Sequence, residues 1–232
     1  MSERNDNLLG LGGLDLDASA GALESQLVAL EDRLKELGAG GSPLERALVQ
    51  LEMGRVLVGL DRNEQAWDTA RLAFDVFLAA EDWEHAVEVC DILFRADQPE
   101  SLSALGQGIW LGVTFPIDPE LTLEMLHHVI EDTPDEADGA AVAAATGAYI
   151  VDLRAEGKQH DNLGFFAQQI LGNVARRHSK VETQEQFERW FKRLELNDPA
   201  KFLVRLRNVV DVLVQDDWWF DRDALQSQVP VN

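Results

Sequence analysis

The segment PELTLEMLHHVIED, residues 119–132, overlaps two liganding patterns, Glu124-x-x-His127 and His128-x-x-Glu131. Residues three apart lie on adjacent turns of one helix face, which is how carboxylate-bridged di-iron bundles draw two ligands from a single helix. Such a centre takes a second Glu-x-x-His from a facing helix, and the chain has none. The nearest substitute is EDWEHAVEVC, residues 81–90, with Glu81, Glu84, His85 and Glu88. A mixed site drawn from His85, Glu124, His127, His128 and Glu131 would suit iron, manganese or zinc. The competing reading makes Leu121, Met125 and Val129 one buried boundary, with the histidines and acids facing water.

Other reaction chemistry is poorly provided for. There is no G-x-S-x-G, no phosphate loop ending in Lys-Ser/Thr, and Gly106-x-Gly108 lies in a helical context rather than after a strand. Cys90 sits in AVEVCDILF beside acids that raise a thiol pKa, so it reads as structural, and as the single cysteine it forms no internal disulfide. The chain therefore reads as non-catalytic and as needing no cofactor.

Binding chemistry is better represented. VQDDWWFDRDAL, residues 214–225, sets Trp218, Trp219 and Phe220 among Asp216, Asp217 and Asp221. A turn before a short terminal segment fits this stretch, with one tryptophan locking the segment onto the core and the other left partly exposed. The loop GVTFPIDPE, residues 112–120, carries Phe115 and Ile117 between turn-forming residues, a pattern for a tucked or a binding loop. Apolar anchors with acids on the rim suit another protein's basic or apolar segment.

Forty-two acids against twenty Lys and Arg give a net charge of −22, which repels nucleic acid and anionic membrane surfaces. Residues 154–207 differ, with eleven Lys/Arg against seven Asp/Glu, a net of +4. Phe187, Trp190, Phe191 and Phe202 interleave with this block at helical spacing. That favours burial, with the cations docking on the chain's own acidic helices or on an acidic partner, over nucleic-acid binding. No apolar run reaches the roughly 18 residues that cross a bilayer, and the first residues lack a basic, apolar leader pattern, so a cytoplasmic location is expected.

The elements that must position these residues are helices. Period-2 alternation and hairpin turn pairs are missing, whereas apolar residues recur at three and four. Ser42-Pro43, Asp118-Pro119 and Asp198-Pro199 each place a capping side chain before a first-turn proline, and Glu45 and Gln186 complete capping-box patterns with Ser42 and Thr183. Helices are predicted near 44–60, 64–79, 82–96, 100–113, 119–132, 138–156, 162–178, 183–195 and 199–216. Residues 1–41 read as a flexible arm with one amphipathic helix carrying Leu23, Leu27, Leu30, Leu34 and Leu37, and 42–232 as a single all-helical domain. The fold class is all-α, antiparallel hairpins stacked as a short array or a compact multi-helix bundle.

From Ala47, the stretch ALVQLEMGRVLVGLDRNEQAWDTARLAFDVFLAA resembles a tetratricopeptide repeat, with Gly54, Ala66 and Ala73 at that family's small-residue positions. Leu57 stands where the family carries an aromatic and Leu78 where it carries proline. The next 34 residues depart, with Glu88 at the glycine position and Glu100 at the first alanine position. The resemblance covers residues 47–80 and implies a helical-repeat scaffold of the kind that binds proteins or assists chaperones; it assigns no residue a role. The leading expectation is a non-catalytic adaptor, scaffold or chaperone-like assembly factor with a groove between helices, contacting its partner through Phe115, Ile117, Asp216, Asp217, Trp218, Trp219, Phe220 and Asp221. The alternatives are a helical metalloprotein or oxidoreductase component using the His/Glu cluster, and a homo-oligomer in which the basic block of one copy meets the acidic surface of another.

Overall fold

Three of the described helices end on the same backbone device. The amides of Arg62, Asp82 and Leu196 reach back to the carbonyls of Leu57, Phe77 and Phe191, while the residues between, Asp61, Glu81 and Glu195, take positive φ of 56°, 56° and 55°. This six-to-one closure satisfies carbonyls that a helix end leaves unpaired and reverses the chain within a few residues. At the first two closures the helices on either side therefore run back along one another.

The structure is a computed structural model in which residues 20–38, 40–227 and 229 are described. Those residues form eleven α-helices and no strand. The helices are α1 (Ala20–Leu37), α2 (Pro43–Gly59), α3 (Asn63–Ala79), α4 (Trp83–Arg95), α5 (Ser101–Thr114), α6 (Pro119–Asp132), α7 (Asp138–Arg154), α8 (Gly157–Ser179), α9 (Gln184–Arg193), α10 (Pro199–Val214) and α11 (Arg222–Gln226). The molecule is an all-α multi-helix bundle. Each helix from α1 to α8 packs on the next, α2 also meets α4, and α10 returns to lie on both α5 and α7.

Local signals account for most boundaries. Asp118 and Asp198 cap α6 and α10 ahead of their prolines, and Thr183 and Gln186 form the reciprocal capping box of α9. Ser42 makes no side-chain capping bond, so the box expected with Glu45 is not formed. The expected turn over 157–162 is instead the first turn of α8, which starts at Gly157. Its residues Lys158, Gln159, His160 and Asp161 are all polar and lack an apolar period to mark them.

Of the amphipathic arm, α1 is docked: Leu23 and Leu27 are buried in a cluster with Val56, Leu57 and Ala66. The segment LLGLGGLDLDAS lies outside the described residues. Gly54 of α2 faces Ala70 and Ile92, whose atoms would stand 3.0 and 3.1 Å from an added Cβ, so three helices approach closely there.

The core runs through α5, the most apolar helix, and two glycines set what reaches it. A Cβ on Gly106 would lie 2.5 Å from Val214 Cγ2 and 3.0 Å from Leu213 Cβ; one on Gly108 would lie 2.5 Å from Met125 Cε and 2.7 Å from Cys90 Cβ. Hydrogen at these two positions admits α10 on one side of α5, and α4 with α6 on the other.

Candidate functional site

The expected metal cluster separates into three places. His85 Nδ1 lies 2.7 Å from Asp82 Oδ2 and its ring stacks on Phe77, 5.1 Å between centroids. His127 faces Glu131 at 3.7 Å, and burial pushes its pKa below the ordinary histidine value. Adjacent residues on a helix point about 100° apart, so His127 and His128 cannot share a site. The five-residue site drawn from the sequence is not assembled.

His128 instead meets Asp91, which the sequence did not single out. Its Nε2 donates to Asp91 Oδ1 at 2.8 Å, and its ring packs on Phe94. Glu124 completes the group: one ligand-type atom each from Asp91, Glu124 and His128 lies within 4.8 Å of the other two. Arg95 binds both acids, through Nε to Asp91 at 2.7 Å and through Nη2 to Glu124. The positive charge this half-buried trio needs is thus already present as a guanidinium, and a divalent cation would have to displace it. We read the cluster as an ion-pair network clamping α4 to α6.

Its two carboxyls are driven apart. Burial presses both toward neutrality; at Asp91 the bond from His128 and the charge of Arg95 prevail and hold the acid below its ordinary value. At Glu124 burial and the negative charge of Asp91 win, raising it to about 7. A carboxyl raised on folding stabilises fully below its unfolded value and loses that contribution as pH rises through the folded one. Glu124→Gln, which imitates the protonated acid, should therefore gain on the wild type by on the order of 1–3 kcal/mol between about pH 5 and pH 8. Urea unfolding of both proteins at the two pH values checks this, and a pH-independent difference contradicts it.

The expected contact residues also move. Phe115 and Ile117 are buried, at 4% and 6% exposure, and cannot meet a partner. Phe115 ends α5 in an extended conformation that turns its ring under Trp83, stacked at 4.0 Å. Trp218, Trp219 and Phe220 are half-buried against their own chain: the two tryptophans do not divide into one locked and one exposed, because each covers part of α3 or α5. Asp221 is exposed and caps α11, accepting from the amides of Asp223 and Ala224 at 3.0 Å. Asp216 and Asp217 are exposed as expected.

Part of the basic block docks in cis. Arg205 reaches Asp138 at 2.7 Å, Arg177 bonds the Ile130 carbonyl, and Arg154 donates to the carbonyls of Gly112 and Val113 at 2.7 and 2.8 Å. Cys90 is fully buried, and burial raises its thiol far above the ordinary value, so it stays protonated and unreactive.

A concave site lies where α10 returns. Between α5, α6, α7 and α10 is an apolar groove of about 470 Å³, lined by Leu102, Leu105, Val129, Val209, Val212 and Leu213, with Asp132 its one charged lining residue. Leu105 and Val129 are the buried floor, while Leu102 and Val212 stand exposed at the lips, at 52% and 71%. Sequence reading missed it because the four helices come from distant segments. The available signal was a second apolar row on α10, Val209 and Val212 beside the buried Leu206 and Val210. Compared with known proteins, the chain matches no family model, no curated protein and no solved structure.

Proposed function

We propose that this chain is a non-catalytic protein-binding adaptor or assembly factor, and that the groove between α5, α6, α7 and α10 receives the partner. The observation that carries the reading is the exposure of large aliphatic side chains, Leu102 and Val212, on the lips of a cavity whose floor is also aliphatic. Exposed aliphatic groups gathered around a concave site mark binding surfaces more often than isolated ones do. The described residues contain no helix long and apolar enough to cross a membrane.

The occupant that fits is an amphipathic helix with apolar anchors at i, i+3 or i+4, and i+7, carrying a basic residue toward Asp132 and the exposed Glu131 beside it. The net charge of −22 favours such a partner's approach. The resemblance of residues 47–80 to a tetratricopeptide repeat supports this reading, since proteins of that kind bind partners along packed helical hairpins.

Selection of displayed amphipathic helical peptides on the protein tests the proposal. Recovered peptides should share the anchor spacing and basic flank, and should bind Leu102→Glu/Val212→Glu at least tenfold more weakly. Both positions are exposed, so this variant should keep its melting temperature. Equal binding to the variant, or recovery of no helical peptide, removes the proposal.

A further inference from the structure

The segment that follows α10 is held by its backbone. Gln107, fully buried in α5, donates from Nε2 to the Asp217 carbonyl at 3.3 Å and accepts from the Trp219 amide at Oε1, at 2.9 Å. Ser103, also buried, donates from Oγ to the same carbonyl at 3.2 Å. A side-chain amide bonded both ways to the main chain two residues apart grips a peptide without regard to its side chains.

Aromatic side chains supply selectivity. Trp219 lies edge-on between Trp67 and Phe74 of α3, at 6.3 and 5.1 Å, with the Arg71 guanidinium 4.2 Å from its ring. Phe220 stacks on Phe74 and tilts against Trp110 of α5, while Trp218 meets Trp110 edge-on at 6.3 Å. The joint to α10 is strained: Gln215 takes φ 53° and ψ −123°, a region that residues with a Cβ rarely enter and that costs about 1–3 kcal/mol. Releasing the segment relieves this strain, which lowers the cost of opening.

We propose that the face formed by α3 and α5 is a peptide-binding site whose resident ligand is the chain's own Asp217–Phe220 segment, and that it accepts in exchange a non-helical segment of the same chemistry from another protein, with consecutive aromatics beside acidic residues. A different protein is favoured over a second copy because two chains of −22 repel each other. The α5–α10 groove is a separate site, and this proposal stands whether or not that groove binds a helix.

The test uses the full chain carrying Trp218→Ala, Trp219→Ala and Phe220→Ala, which empties the aromatic subsites and leaves the resident segment only its exchangeable backbone bonds to Gln107 and Ser103, and a labelled synthetic peptide of residues 214–226 as probe. Anisotropy should show the emptied protein binding the peptide at least tenfold more tightly than wild type, whose groove must first release its own segment. Adding Gln107→Leu should remove at least tenfold of that affinity. A folded emptied protein that ignores the peptide, or binding untouched by Gln107→Leu, overturns the proposal. Hydrogen exchange on the wild type decides independently of whether the variant folds: the Trp219 amide should exchange before those of α5, and faster still when free peptide is added. Exchange of Trp219 only with the whole core overturns it, and so does a wild-type dimer that the peptide dissociates, since a second copy would then be the occupant.

Discussion

Replacing Asp91 with alanine should lower the free energy of unfolding by about 3–5 kcal/mol, because removing one member of a buried charge network leaves the others without compensation. Asp91 accepts from His128 at 2.8 Å and from Arg95 at 2.7 Å, with its side chain only 16% exposed. Without it, His128 keeps no acceptor on α4 and α4 loses one of its polar ties to α6. Asp91→Asn should fall between, since the amide retains one acceptor oxygen but not the charge. Urea midpoints at neutral pH measure both changes. A loss below about 1 kcal/mol for the alanine would show the trio to be worth no more than a surface ion pair. A double-mutant cycle with His128→Ala then isolates the bond itself, and its coupling should be favourable.

Phe74→Ala should cost a comparable amount, about 3–5 kcal/mol, as large-to-small changes at buried aromatics do. Phe74 is fully buried in α3 and also supports the terminal segment, contacting Trp219 and Phe220. Two readouts should therefore move together. The denaturant midpoint falls, and the tryptophan emission of the native state shifts to the red as Trp219 loses its apolar wall. A destabilised protein with unchanged native emission would mean that Trp67 and Arg71 hold Trp219 without Phe74.

The helices were legible because their signals are local. Aspartates before prolines at 118 and 198 and the Thr183–Gln186 box each act within one turn, and the structure forms all three. The extra turn of α8 was hidden because a run of polar residues carries no apolar period. The sites were far less visible, for the opposite reason. Asp91 announces itself only through Arg95 one turn away, while its decisive partner His128 is 37 residues distant. Gln107 went unnoticed: it is a polar side chain inside the apolar run SALGQGIWLG, and what it binds comes from a segment 110 residues later. Phe115 and Ile117 misled because a loop with apolar side chains looks the same from sequence whether it folds under its neighbours or faces a partner.

That separation also orders events during synthesis. Neighbouring helices from α1 to α9 can pair as they leave the ribosome, since each packs on the next, and local contacts form early. The face of α5 around Gly106 waits for Leu213 and Val214, and Gln107 for Trp219, 112 residues downstream. At about 5–20 residues per second, the nascent chain carries an uncovered apolar face and an unpaired buried amide for on the order of ten seconds. A growing chain of this design is at its most adhesive just before α10 and the Asp217–Phe220 segment emerge.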